Sequence, residues 1–265
     1  MPLLLKAILL GVIQGVTEFL PISSSGHLVI FHDLFNFHDI SVLFDVFLHV
    51  GTLVPVVIVF RNDIRALLTT RRRWLALLAL GTVPIVLAGL FLRHGIEREF
   101  QTIRWVGPLL LVNGGILLAG GRLAARLRFA ARLRRTQAPG WLHAAAVGIA
   151  QAVALLPGIS RSGTTISTGL ATGLDREDAA RFSFLLAIPA ILLALAAKLR
   201  DVVRGADAVA AHMWAPIVVG TLVSMLVGYA ALRALLAVVR RRRLGWFGWY
   251  CLAVGTALLV YRLIR

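Results

Sequence analysis

An all-α integral membrane protein is the fold class this sequence predicts, with six transmembrane helices plus two re-entrant helical hairpins in an inverted-topology repeat. Three observations carry the expectation. Hydrophobic residues make up 59% of the 265 positions, far above an ordinary soluble domain and enough for several membrane spans. Apolar stretches of spanning length recur along the chain, separated by groups of arginine. A polar cluster is also written twice inside apolar sequence, from Gln14 to Gly26 and, 137 residues on, from Gln151 to Gly163. Hydrocarbon does not tolerate unsatisfied polar groups. Serines, glycines and prolines gathered at the end of an apolar run therefore mark a helix broken beside a cavity, and a site built from both copies is the first expectation.

Residues 2–20 form an apolar arm with no small-residue cleavage pattern, which reads as retained helix rather than a removed signal peptide. The arm runs into Pro21, the serine cluster and a weaker apolar stretch, which suits a hairpin entering and leaving on one side. Spans follow at about 44–60, 74–93 and 105–121. A second arm at 141–156 leads into Pro157 and the second cluster, and spans return at 182–198, 213–238 and 245–262. Phe44-Asp-Val-Phe-Leu-His-Val-Gly and Phe182-Ser-Phe-Leu-Leu-Ala-Ile-Pro open the span after each cluster at nearly the same offset. The chain therefore reads as one membrane domain, 1–265, of two inverted repeats, approximately 1–121 and 141–265, joined by a basic cytoplasmic loop at 122–140.

The formal charge of +16 comes from 28 Lys plus Arg against 12 Asp plus Glu. These cations fall between spans rather than on one amphipathic face, so the positive-inside rule explains them and nucleic acid is not an expected partner. Arg61, Arg65 and Arg71 to Arg73 form one cytoplasmic loop, Arg122, Arg126, Arg128, Arg132, Arg134 and Arg135 a second, and Arg240 to Arg243 a third. Threading six spans through these loops puts residues 1–43 and the C-terminus outside, and brings the two hairpins to the midplane from opposite faces. The single cysteine, Cys251, excludes disulfides within the chain and argues against a zinc site. Neither a GxxxxGK[ST] loop nor a GxGxxG after a strand supports nucleotide chemistry.

Gln14 and Glu18, four apart on a helix, point at one volume, and Glu18 is the only acid of that arm. A carboxylate at membrane depth is costly unless it faces water, a cation or a donor, which makes it a functional candidate. Ser23, Ser24, Ser25 and Gly26 offer hydroxyls and backbone N–H groups where a helix starts, and His27 follows with a group able to move a proton near neutral pH. The second cluster sets Arg161 among Ser160, Ser162, Gly163, Thr164 and Thr165. A guanidinium grips phosphate oxygens in pairs, and glycines let backbone approach an anion. Together the clusters suit a phosphate ester or diphosphate better than a sugar or an inorganic cation. Asp45 and His49 stand one turn apart at a cavity mouth, and Asn113 is positioned to hydrogen-bond between helices. Asp175, Glu177 and Asp178 form the first turn of a helix, and His32, His38 and Asp39 belong to an interfacial segment without metal-ligand spacing.

On these residues the chain resembles the undecaprenyl-diphosphatase family of bacterial membrane enzymes, associated with bacitracin resistance. The family's Glu-or-Gln, three residues, Glu motif matches Gln14 and Glu18, and Phe-Leu-Pro-Ile-Ser-Ser-Ser-Gly-His runs from Phe19 to His27. Its Pro-Gly-x-Ser-Arg-Ser-Gly signature matches Pro157 to Gly163, with Thr165 after it, and the likeness continues through Phe44 to Thr52 and on to the final span. The resemblance implies hydrolysis of undecaprenyl diphosphate to undecaprenyl phosphate, the lipid carrier of peptidoglycan synthesis. The site would open to the outer, periplasmic face of the bacterial cytoplasmic (inner) membrane. Arg161, Ser160, Ser162 and backbone N–H groups would hold the terminal phosphate, with Gln14, Ser23, Ser25, Gly26, Gly163 and Thr165 completing the substrate site. His27 would be nucleophile or general acid/base, and Ser24 the alternative nucleophile or phosphate ligand. Glu18 would orient His27 or hold a divalent cation, Mg2+ or Ca2+; some members carry an acid where Gln14 stands, and an amide is neither base nor strong metal ligand, so that role falls on Glu18. The expected partners are the polyprenyl diphosphate, the bilayer and a second copy in a homodimer. The rival reading is a secondary transporter or polyprenyl-phosphate flippase, because broken helices in inverted repeats are also a transporter architecture.

Overall fold

The computed structural model describes residues 2–35, 42–100, 102–130, 138–203, 211–241 and 243–264. Its helices are α1 (Leu3–Phe19), α2 (Ser24–Leu34), α3 (Val42–Val59), α4 (Arg61–Leu68), α5 (Arg72–Phe100), α6 (Ile103–Ala130), α7 (Trp141–Val153), α8 (Arg161–Ala171), α9 (Arg176–Val203), α10 (Trp214–Arg240) and α11 (Gly245–Ile264), with a 3-10 turn at Ala211–Met213 before α10. Among the described residues, five segments are long and apolar enough to cross a membrane: Arg72–Leu92, Ile103–Leu123, Arg176–Ala197, Ala211–Arg240 and Gly245–Ile264. A sixth is reached if Leu43–Val59 and Arg61–Leu68, bent by 74°, count as one. The span expected at 44–60 thus turns sharply at Phe60 into α4, whose polar Arg61, Asn62, Asp63 and Arg65 cannot continue into hydrocarbon. Large apolar side chains such as Leu90, Phe91, Leu226 and Leu263 stand exposed on the outside, as a lipid-facing surface requires.

The two polar clusters interrupt their helices as expected. In the first, α1 stops at Phe19 because Pro21 cannot donate to the helix ladder, and the chain restarts at Ser24 with Ser23 as N-cap, its hydroxyl accepting from the Gly26 N–H at 3.2 Å. In the second, α7 ends at Val153, a few residues before the expected limit, and α8 restarts at Arg161 under the Ser160 cap, which accepts from the Gly163 N–H at 3.1 Å. In each pair the start of the first helix is hydrogen-bonded to the end of the second. Lys6 near the start of α1 donates to the Phe35 carbonyl after α2, and the His143 ring near the start of α7 donates to the Thr172 carbonyl after α8.

Glycines set the closest helix approaches. A Cβ at Gly11 of α1 would lie 2.7 Å from the Gly220 carbonyl of α10, and one at Gly148 of α7 would lie 2.5 Å from the Gly81 carbonyl of α5. Helices α6 and α11 meet through Gly107 against Gly255 and Gly114 against Gly248. Because lipid is as apolar as leucine, this close van der Waals packing holds spans together in place of a hydrophobic driving force. Phe19, Phe60, Trp74, Phe182, Phe184 and Leu185 pack together in a central core.

At one end of the bundle, Arg181 pairs with Asp63 at 3.0 Å, Arg71 lies 3.7 Å from Asp63, and Arg240 pairs with Glu177 at 3.0 Å. These pairs bring α4, the turn before α5, the start of α9 and the end of α10 together. Asp175 caps α9 by accepting from the Asp178 N–H at 2.8 Å, so the acids at 175–178 do open a helix. One boundary differs from expectation: the basic segment expected as a loop from 122 continues α6 as helix through Ala130. Arg, Leu and Ala are strong helix formers, so the arginines mark where the chain leaves hydrocarbon rather than where its helix ends. Arg132, Arg134, Arg135, His38 and Asp39 lie outside the described residues.

Candidate active site

Glu18 lies in the last turn of α1, buried, where the break at Pro21 turns the chain back past it. One carboxylate oxygen, Oε1, pairs with the Arg161 guanidinium from the first residue of α8. The other, Oε2, accepts from the Ser24 hydroxyl at 2.6 Å and from the Gln14 amide at 3.0 Å, and the His49 ring Nε2 stands 3.5 Å from it. Residues from both clusters therefore meet on one carboxylate. Ser24 and Arg161 are the first residues of α2 and α8, so two helix N-termini, with their unpaired N–H groups and positive dipole ends, come to the same place. Arg161 has donors to spare beyond the one spent on Glu18, and Ser24 and Ser25 are partly accessible while Ser23 is buried.

The turn between α1 and α2 is strained. Ser23 has φ 72°, the one positive φ at a non-glycine position among the described residues, and Gly158 in the facing turn has φ 112°. The two turns hold each other, since the Gly158 N–H donates to Ser23 Oγ at 3.0 Å. Asn113 of α6 straps both: its amide donates to the Pro21 carbonyl at 3.0 Å and its Oδ1 accepts from the Ser160 N–H at 3.0 Å. Asn113→Leu would leave the Ser160 N–H buried and unpaired, at about 1–3 kcal/mol, and the Pro21 carbonyl with only the weak Cys251 thiol donor. A marked fall in the thermal midpoint of the detergent-purified protein is the expected result.

Most hydroxyls of the second cluster are engaged within the protein. Ser160 caps α8, Ser162 donates to the Phe19 carbonyl at 3.0 Å, and Thr165 shares a 2.6 Å hydrogen bond with Ser183. Gly163 is buried against Pro21, and Gly26 against Gly158. Of the second-cluster side chains named from sequence, Arg161 is the one that reaches Glu18.

His27 is not among the partners of Glu18. Its Nδ1 lies 2.8 Å from the Ser23 carbonyl, which can only accept, so Nδ1 carries the proton; Nε2 then accepts from the Tyr250 hydroxyl of α11 at 2.9 Å. The expectation that Glu18 orients His27 is corrected on this point: the carboxylate is directed at Ser24 instead. His49, read from sequence as part of a cavity mouth, joins the site directly, its Nδ1–H donating to the Asp45 carbonyl at 2.7 Å. Tyr250 gave no signal in the sequence, because an aromatic residue in a span is common near membrane interfaces. Gln14 Oε1 and both amide atoms of Gln151 are buried without a hydrogen-bond partner.

This donor set does not fit a resident divalent cation. Both oxygens of the Glu18 carboxylate are taken up by O–H, N–H and guanidinium donors, and the described residues hold no group of three or more His, Cys, Asp or Glu that could hold a metal ion, so such a cation would have to draw most of its ligands from water and substrate phosphate. Donors converging on a carboxylate at two helix starts are the complement of a phosphate.

The family model for the bacitracin resistance protein BacA matches residues 7–257. The chain is 42% identical over 256 residues to an undecaprenyl-diphosphatase of Carboxydothermus hydrogenoformans, and 39% identical over 258 residues to one of Halothermothrix orenii, each alignment covering 96% of both chains. It is 40% identical over 272 residues to an undecaprenyl-diphosphatase of a Nocardioides species, covering 97% of this chain and 95% of the relative. A match that runs through both polar breaks and nearly every span leaves one reading of descent: the chain is a multi-pass membrane protein that belongs to the BacA bacitracin resistance protein family.

Proposed function

We propose that this protein hydrolyses undecaprenyl diphosphate to undecaprenyl phosphate and inorganic phosphate, recycling the carrier lipid of cell-wall synthesis. The observation that carries the reading is the meeting of Ser24, Glu18 and Arg161 at two helix N-termini, a nucleophile, a base and a phosphate clamp at one point. Glu18 Oε2 accepts the Ser24 proton as Oγ attacks the terminal phosphorus. The bridging P–O bond breaks, and polyprenyl phosphate leaves with the bridging oxygen. Arg161 and the N–H groups opening α2 and α8 neutralise the charge gathering on the phosphoryl oxygens. Once Glu18 has passed its proton to the leaving group or solvent, it accepts one from water, which attacks the phosphoserine. Inorganic phosphate departs, and the proton returns to Ser24. His27, with both ring nitrogens engaged, acts here as a support for the serine turn rather than as the nucleophile.

The two breaks are read as re-entrant hairpins of an inverted repeat, about 1–121 and 141–265. Reciprocal packing supports this, since α1 packs on α10 through Gly11 and Gly220, and α7 on α5 through Gly148 and Gly81. The arginine-bearing end is taken as cytoplasmic and the mouth near Asp45 and His49 as periplasmic, in the inner membrane, where the polyprenyl tail lies along the lipid-facing helices. No step is derived through a metal; a cation carried in by the diphosphate itself would count as substrate.

The test is phosphate release from a C15 or C55 polyprenyl diphosphate by the detergent-purified protein, with and without EDTA. Release that survives EDTA is expected. No release from folded protein, with or without added divalent cation, would move the reading to lipid transport, assayed by movement of polyprenyl phosphate across vesicles.

A further inference from the structure

Tyr250 of α11 is not among the hydrogen-bond or ion-pair partners of Glu18, yet a continuous chain of hydrogen bonds leads from it to the residue beside Ser24. Its hydroxyl lies 2.9 Å from His27 Nε2, and the rings are stacked at 5.9 Å with an interplanar angle of 14°. His27 Nδ1–H donates to the Ser23 carbonyl at 2.8 Å, and the His27 backbone N–H reaches the same carbonyl at 3.1 Å. Ser23 is the residue at φ 72°, and the next residue is Ser24. A backbone conformation this uncommon persists only where its surroundings over-determine it, and such outliers gather at functional sites. The Ser23 hydroxyl is held from the other side by the Gly26 and Gly158 N–H groups at 3.2 and 3.0 Å, so the His27 ring and these N–H groups grip the turn from both sides.

We propose that Tyr250 is a positioning residue for the hydrolysis: through His27 it fixes the Ser23 turn and so aims the Ser24 hydroxyl between Glu18 and the bound phosphate. The inference rests on the reading of Ser24 as nucleophile. The physical step is tautomeric and local. With Nδ1–H committed to the Ser23 carbonyl, the buried Nε2 presents a lone pair that needs a donor, and the Tyr250 O–H supplies it. Without the hydroxyl, the ring is free to turn toward other donors and release the Ser23 carbonyl, and the turn can relax toward ordinary φ. Ser24 Oγ then leaves its 2.6 Å contact with Glu18, a displacement small in distance and large in rate. The neighbouring Cys251, whose Sγ is 3.9 Å from the Pro21 carbonyl, keeps α11 against the same turn when only the hydroxyl is removed.

Tyr250→Phe keeps the stacked ring and deletes the hydroxyl. In the full-length detergent-purified protein with a C15 diphosphate, kcat is expected to fall about 10- to 100-fold, as for a misaligned reacting group, with KM within about twofold and the thermal midpoint lowered by no more than a few degrees, the cost of one unpaired ring nitrogen. The same substitution in a His27→Ala background is expected to cost less than about twofold more, because its route through His27 is already gone. A wild-type kcat in Tyr250→Phe, a loss that is fully additive with His27→Ala, or a kcat loss that vanishes when the assay is run well below the thermal midpoint would each overturn the proposal. Ser24→Ala assayed alongside separates the two readings: an inactive Ser24→Ala beside an unaffected Tyr250→Phe removes the role of Tyr250 alone, whereas an active Ser24→Ala removes the Ser24 chemistry and this inference with it.

Discussion

Arg161→Ala is expected to lower kcat/KM for phosphate release from a polyprenyl diphosphate by about 10^3-fold or more, the scale on which an arginine aimed at a transferring phosphoryl group acts and equivalent to about 4 kcal/mol of transition-state stabilisation. The guanidinium stands at the first residue of α8, paired with Glu18 and with donors left for phosphate oxygens. Removing it also leaves a buried carboxylate without its cation, which costs about 3–5 kcal/mol in comparable pairs, so folding has to be measured beside activity. Arg161→Lys serves that purpose: it retains the charge, keeps the fold, and still loses most activity, because an ammonium cannot hold two phosphate oxygens in the fork geometry. Wild-type turnover in Arg161→Lys would reduce the role to simple charge, and turnover of Arg161→Ala within about tenfold of wild type would refute the clamp.

Ser24→Ala should be costlier still. Loss of a covalent nucleophile typically lowers kcat by on the order of 10^4- to 10^6-fold, and Ser24 is the hydroxyl that donates to the buried Glu18 carboxylate at 2.6 Å. In a rapid-quench experiment with substrate labelled in the terminal phosphate, the wild-type protein should carry acid-stable label on Ser24 before steady state, and the Ala variant none. Glu18→Gln should fall to a similar residual rate, and the double variant should be no worse than either single one, because a nucleophile and its base act as a unit. A Ser24→Ala enzyme that keeps its rate, paired with a dead His27→Ala, would transfer the nucleophile to the imidazole.

Much of this site was legible in the chain itself. Glu18, Ser24 and Arg161 stand out because each is polar or charged where the surrounding sequence is committed to hydrocarbon, and the repetition of Gln14 to Gly26 in Gln151 to Gly163 identified two breaks that meet. The same reasoning could not rank the hydroxyls. Ser23, Ser24 and Ser25 are equivalent on paper, but one stands at φ 72° with its Oγ capping two N–H groups, and only its neighbour is directed at the carboxylate. Ser160, Ser162 and Thr165 were candidate phosphate ligands by type, and in the fold their hydroxyls meet the Gly163 N–H, the Phe19 carbonyl and the Ser183 hydroxyl. His27 looked like the partner of Glu18 by proximity in sequence, yet a helix starting at Ser24 carries its ring round to the Ser23 carbonyl and to Tyr250.

What the sequence by itself determined was the solvent, the number of breaks and the chemistry available at them: apolar runs require helices, proline and glycine end them, and a buried carboxylate requires donors. What only the tertiary structure decided was which donors those are. His49, Asn113 and Tyr250 come from α3, α6 and α11; the sequence marked His49 for a cavity mouth and Asn113 for a contact between helices without naming the partner of either, and Tyr250 carried no mark at all. Their roles arise because glycine-mediated helix contacts bring separate spans within hydrogen-bond reach, and hydrogen-bond geometry at that range depends on distances that no linear pattern of residues encodes.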